Sequence, residues 1–111
     1  MARPYVPSRG HIVFMDFDPA AGQEQALRRP ALVLSPSRFN RTIGLALAAP
    51  ITSRVRGHGF EVALEGTKTH GVVLCHQVKT MDCKARGMRY VEDAPDVVVQ
   101  DALARVRTII A

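Results

Sequence analysis

Proline and glycine punctuate this chain at short intervals, and they confine most of its apolar runs to the length of strands rather than helices. His11–Phe17 is β-branched and aromatic on both faces, as expected of a strand buried from two sides. Asp18-Pro19 ends it, and a loop through Gly22 leads to Arg29. Pro30 then admits a second strand, Ala31–Ser35, closed by Pro36, and Leu45–Ala49 is a third, ended by Pro50. Phe60–Leu64 alternates, with Phe60, Val62 and Leu64 inward and Gly66 as its turn. Val72–Lys79 reads as one further strand and Met88–Val91 as a short sixth.

Only the C-terminal stretch has helical period. Val99, Ala102, Leu103, Val106, Ile109 and Ile110 fall on one face. Pro95 suits a first helical turn, Asp96 the positive end of the dipole, and Arg105 and Arg107 the negative end. The expected architecture is mostly β: a small barrel of strongly bent antiparallel strands with one packed C-terminal helix. Its exposed sheet edges predict a homodimer.

A length of 111 residues fits a single domain, 1–111, with roughly two thirds of the chain's surface buried and no need of a staple. The longest apolar stretch, Leu45–Ala49, is far short of the roughly 20 residues that span a bilayer. No apolar segment follows the N-terminal residues as a secretory signal requires, and Cys75 and Cys83 have neither disulfide-framework nor metal spacing. Free thiols of this kind point to the cytoplasm.

The net charge of +5 is unevenly placed. All of the excess lies in residues 1–60, on Arg3, Arg9, Arg28, Arg29, Arg38, Arg41, Arg54 and Arg56, against Asp16, Asp18 and Glu24. Arginine forks suit phosphate, so a polyanion is one reading; a solvated basic face and a codon bias are the others. The two polar stretches of that half, Asp18–Arg29 and Thr52–Gly59, are rich in arginine and hydrogen-bond donors.

Glycine-rich phosphate loops, Gly-x-Ser-x-Gly and His-Glu-x-x-His are absent. His11, His58, His70 and His76 match no zinc spacing, and Cys75 sits in an apolar run, where a thiol is ordinarily a small core residue. Arg, Thr, Glu and His remain. That inventory can cleave RNA without metal or cofactor, because the substrate's 2′-hydroxyl is itself the nucleophile. The protein need only align it, stabilise the charge at phosphorus and move two protons.

Four collinear segments sharpen this reading. Gly10-His11-Ile12-Val13 with Asp16-Phe17-Asp18-Pro19, Gly22-Gln23-Glu24-Gln25, Arg29–Ser35 and Pro50-Ile51-Thr52-Ser53 resemble the signature of the MazF/PemK/Kid toxins. The similarity continues through Gly71–Leu74, Gln77-Val78-Lys79 and Lys84–Gly87. The resemblance implies an SH3-like barrel that acts as a homodimer and cleaves single-stranded RNA at short motifs without a metal, leaving 2′,3′-cyclic phosphate and 5′-hydroxyl ends. It also implies an acidic MazE-like antitoxin that blocks the RNA groove. Carried over residue by residue, Arg29 matches a catalytic arginine, Thr52 a catalytic threonine and Glu24 a position that orients Arg29 or takes the 2′ proton. Phe17, Arg56, Gln77 and Lys79 match substrate-groove positions, and Arg28, Ser53 and His76 are grouped with them as substrate contacts.

The departures bear on mechanism. His76 stands where the family often has Asp, Leu74 where Kid-like members have Arg, and Gln23 where they have His. The Kid trio therefore does not transfer, and His76 is open to three roles: base, base reader or structural histidine. Two other functions share the fold: a gyrase poison like CcdB, and a non-catalytic RNA-binding barrel. The first depends on a Trp-Gly-Ile terminus, whereas this chain ends Thr-Ile-Ile-Ala and has no Trp. Intact Glu24, Arg29 and Thr52 weigh against the second.

Overall fold

The computed structural model of the chain describes residues 4–16 and 28–111. Its elements run β1 (His11–Asp16), β2 (Arg28–Val33), α1 (Ser37–Ile43), β3 (Leu45–Thr52), β4 (Glu61–Ala63), β5 (Val72–Leu74), β6 (Lys79–Asp82), β7 (Arg89–Asp93) and α2 (Asp96–Ile110). Every strand pairing is antiparallel. The order is β4-β5-β3-β2-β1-β7, with β6 also paired to β3. The mostly β architecture with a packed terminal helix is as expected. Among the described residues, however, the end strands β4 and β7 do not pair, so no ladder closes the sheet.

Alternation along the central strands feeds two cores, as expected for β1. Ile12, Leu32, Ala49 and Ile51 face one side, where α2 covers them with Val98, Val99, Ala102 and Val106. Val13, Met15, Ala31, Val33, Ala46 and Ala48 face the other, with Met81 and Met88. Burying both faces removes the polar alternation that a one-sided sheet displays. The end of α2 departs from expectation: Ile109 and Ile110 are exposed, the latter at 78%. Helical period continues there, yet nothing among the described residues covers the apolar side chains of the last turn.

Two prolines lie inside strands rather than at their borders. Pro30 pairs with Phe14 within β2, and Pro50 with Ala31 within β3. Proline removes only its own donor, and its fixed φ suits extended backbone. The consequence for the site is that Arg28 and Arg29 belong to a strand, and successive strand residues point to opposite faces.

The run expected as one strand, Val72–Lys79, is two. Ile51 pairs with Val73 and Ala48 with Lys79, three positions apart on β3 but six apart on its partner. The excess is taken up by a 3-10 turn at Cys75–Gln77, which leaves His76 and Gln77 exposed. Phe60, expected inward, lies before β4 and is 37% exposed, whereas Val62 is buried.

Helix α1 has no apolar period to announce it. It is anchored instead by one buried polar residue, Asn40, whose Nδ2 donates to the carbonyls of Pro7 (2.8 Å) and Ser35 (3.1 Å) and whose Oδ1 accepts from the Ser35 hydroxyl (2.5 Å). Gly44 ends it in the left-handed region at φ 80°. No described helix is long and apolar enough to cross a membrane.

Candidate nucleic-acid groove

The end of β3, the start of β2 and the turns flanking β5 meet around an open groove of about 800 Å3. Arg29, Thr52, Ser53, Arg56, His76 and Gln77 all line it, so six of the candidate residues converge. Arg29 stands on β2 opposite Met15, exposed, and no carboxylate among the described residues pairs with it. Thr52 closes β3 opposite Val72. Its Oγ1 accepts the Arg54 backbone N–H at 3.1 Å, which leaves the hydroxyl proton free to donate. Arg54, His58, Thr69, His70 and Leu74 complete much of the wall. The described lining thus holds three arginines and three histidines and no Asp or Glu.

Both loops of the wall are held by carboxylates from behind. Glu61, with a side chain only 4% exposed, accepts the backbone N–H groups of Gly57 (2.8 Å) and Arg56 (3.0 Å). It also lies 3.6 Å from His58 Nε2. Glu92 holds Lys68 and Thr69 in the same way. Burial alone raises both carboxyls; the backbone N–H groups of Gly57 and Arg56 at Glu61, and those of Lys68 and Thr69 with the Thr69 hydroxyl at Glu92, outweigh it. Both therefore lie below the ordinary value of 4.5. The stability each adds is present in full above that value and is lost as pH falls through the lower folded one.

This geometry has known counterparts. The family model of the PemK-like, MazF-like toxin of type II toxin–antitoxin systems matches residues 8–110. The chain belongs to this family. It is 46% identical over 108 residues to the endoribonuclease toxin ChpB of Escherichia coli K12, with 92% of each chain covered. It is likewise 46% identical over 87 residues to the endoribonuclease toxin MazF of the same strain, covering 78% of each. Among solved structures, a MazE–MazF complex from Deinococcus radiodurans has a chain that superposes with a TM-score of 0.89 at 40% identity, covering 96% of this chain and 97% of that one.

The remaining candidates lie elsewhere. Arg28, on the face of β2 opposite Arg29, donates to Asp16 Oδ1 at 2.9 Å and sits 5.3 Å from the Phe14 ring. It is thus already engaged away from the groove. Lys79 begins β6 opposite Ala48, exposed and outside the groove lining. Phe17 and Glu24 lie outside the described residues. Cys75 is fully buried and burial pushes its thiol up to about 11, as suits a core residue.

Three of the four histidines reach the groove from separate segments, which no spacing in the chain foretold. His58 and His76 meet edge to face at 4.7 Å between ring centres, with Phe60 6.2 Å from His76. Thr69 carried no signal in the sequence and His70 only a negative one; the connection between β4 and β5 brings both in, and Leu74, noted only as a departure from Kid-like members, joins them from the end of β5. Among the described residues, no three His, Cys, Asp or Glu are grouped to hold a metal ion.

Proposed function

We propose that this chain is an endoribonuclease toxin that cleaves single-stranded RNA in the Arg29–Thr52 groove, and that a cognate antitoxin silences it by occupying the same groove. The observation that carries this reading is an exposed Arg29, with no ion pair among the described residues, beside Thr52 in a groove whose described lining is cationic and free of carboxylates. Such a lining attracts phosphodiesters, and an acidic antitoxin segment competes for the same field.

In the proposed reaction the substrate's 2′ oxygen loses its proton to a base and bonds to phosphorus as the P–O5′ bond breaks. A 2′,3′-cyclic phosphate forms, and the departing 5′ oxygen takes up a proton. Thr52 donates to a non-bridging oxygen of the scissile phosphate. Arg29 donates to the charge that builds on the phosphoryl oxygens and on the leaving oxygen. Glu24 is the proposed partner of Arg29 or acceptor of the 2′ proton. Single-stranded RNA suits an open groove because its bases are free to splay and stack on rings. The working unit is proposed to be a homodimer, a reading supported by sheet ends that pair with no further strand among the described residues and by the exposed Val97, Ile109 and Ile110.

The test is incubation of a long single-stranded RNA with the protein in EDTA, with cut sites mapped by primer extension and the ends analysed chemically. Discrete cuts at one short motif with 2′,3′-cyclic phosphate and 5′-hydroxyl ends are expected. Intact RNA beside a folded protein, or cuts ending in 3′-hydroxyls, would sink the proposal.

Two substitutions probe the contacts. Arg56→Ala removes a guanidinium from the groove wall but keeps the backbone N–H that Glu61 holds. Binding of non-cleavable RNA should weaken for all sequences, with the logarithmic salt slope shallower by about 0.7, one single-strand phosphate contact. A slope equal to that of the unaltered protein removes Arg56 from the phosphate contacts. His76, beside the His58 ring and 3.5 Å from the Gln77 amide, is proposed to contact a base. His76→Asn should change the preferred cleavage motif at a rate within about threefold of the original. An unchanged motif with a flattened acidic limb of the rate profile would instead make it the proton acceptor.

A further inference from the structure

Among the described residues, the sheet order leaves β7 at one end and the β4–β5 hairpin at the other, with no ladder between them. One side chain bridges that gap. Glu92, on β7, uses both carboxylate oxygens on a loop more than twenty residues earlier. Oε1 accepts the Lys68 backbone N–H at 3.0 Å, and Oε2 accepts the Thr69 N–H at 2.8 Å and the Thr69 hydroxyl at 2.7 Å. An acidic residue on an edge strand ordinarily only solvates that edge. Here three short bonds to consecutive residues make it a fixed contact, charge-assisted and geometrically specific.

What the contact fixes is part of the groove. Thr69 and His70 both line it, and Gly71, next in the chain, packs directly against the Thr52 carbonyl. The segment is therefore pinned at two points, by Glu92 at Lys68–Thr69 and by Thr52 at Gly71. Within it the Thr67 hydroxyl donates to the Thr69 carbonyl at 2.6 Å, which tightens the turn that Glu92 grips. With the Thr69 hydroxyl committed to Glu92, only its lone pairs remain for a ligand.

We propose that Glu92 is a positioning residue for this groove: its carboxylate latches the Thr69–His70 wall in the conformation that binds single-stranded RNA. The inference rests on the nuclease reading above and adds a residue outside the groove lining. Because the latch holds the wall rather than the reacting groups, its loss should appear in substrate affinity and not in the chemical step.

The experiment compares the unaltered protein with Glu92→Gln, measuring kcat and KM on a single-stranded RNA and backbone amide exchange at Lys68 and Thr69. Glutamine keeps the size but loses the charge and one acceptor. The expected result is faster exchange at both amides and KM raised by about fivefold, with kcat within about twofold. If Glu92→Gln does not fold, Glu92→Asp, which keeps the charge but withdraws it, should show a graded form of the same pattern. Unchanged KM in a variant that cleaves overturns the latch and leaves the nuclease intact. A fall in kcat matching a loss of folded protein, at constant KM, reduces Glu92 to a structural residue and also overturns it. If the unaltered protein neither binds nor cleaves RNA, the nuclease reading fails and the latch proposal with it.

Discussion

Arg29→Ala is expected to lower kcat on single-stranded RNA by about 10²- to 10³-fold, the range seen when one preorganised donor to a developing oxyanion is removed. The size of the effect follows from where Arg29 stands. Its backbone is fixed in β2 opposite Met15, so the guanidinium is offered to the groove from a rigid element. No carboxylate among the described residues pairs with it, and its charge faces the groove where the phosphoryl oxygens are proposed to lie. An exposed arginine with no ion pair among the described residues also contributes little to folding, and the substitution should change stability by no more than about 0.5 kcal/mol. Loss of activity at unchanged thermal midpoint and unchanged oligomeric state is therefore the expected signature. Arg28→Ala is the matched control, because that side chain is held on the opposite face by Asp16. Turnover surviving in Arg29→Ala, or lost equally in Arg28→Ala, removes Arg29 from the chemistry.

The contrast between these two neighbours shows what was legible in the sequence and what was not. Their residue type, and the resemblance of Arg29–Ser35 to a family signature, marked the segment. Reading Pro30 as the border of a strand left both arginines in a loop, where neither face is specified. Only the pairing of Asp16 with Arg28 and Met15 with Arg29 sends one into the groove and the other away. The two-sided burial of β1 and the helix α2 were legible because they depend on local period. The break at Cys75–Gln77 was not, since it arises from a mismatch in length against β3, a partner more than twenty residues earlier. Helix α1 escaped for a different reason: a buried amide, Asn40, holds it where apolar period would be sought. The groove's Thr69 and His70 are likewise delivered by topology, and the latch on Glu92 joins segments that no local pattern connects.

The same dependence on distant approach makes Gly71 the position where one added carbon should do most harm. Its φ of 126° lies where side-chain-bearing residues are rarely found, which alone costs about 1–2 kcal/mol. A β-carbon there would also overlap the Thr52 carbonyl oxygen and come 2.7 Å from the Thr52 carbonyl carbon and 3.1 Å from Ser53 Cα. All three are backbone atoms, so no rotamer change relieves the contact; the end of β3 must move away from β5. Gly71→Ala is therefore expected to destabilise the fold by about 3 kcal/mol, lowering the thermal midpoint by about 15 °C. The chemical consequence is separable. Thr52 is displaced with its backbone, and a misplacement on the order of 1 Å at a positioning group costs about 100-fold in rate. Measured well below the midpoint, where the variant is folded, kcat should fall by that order while the Arg29 side of the groove is untouched. Recovery of full kcat once the variant is folded would show that Thr52 tolerates the shift and is not held to the scissile phosphate. A thermal midpoint equal to that of the unaltered protein would show that the β3 end yields freely, and the approach of Gly71 to Thr52 would then set nothing in the groove.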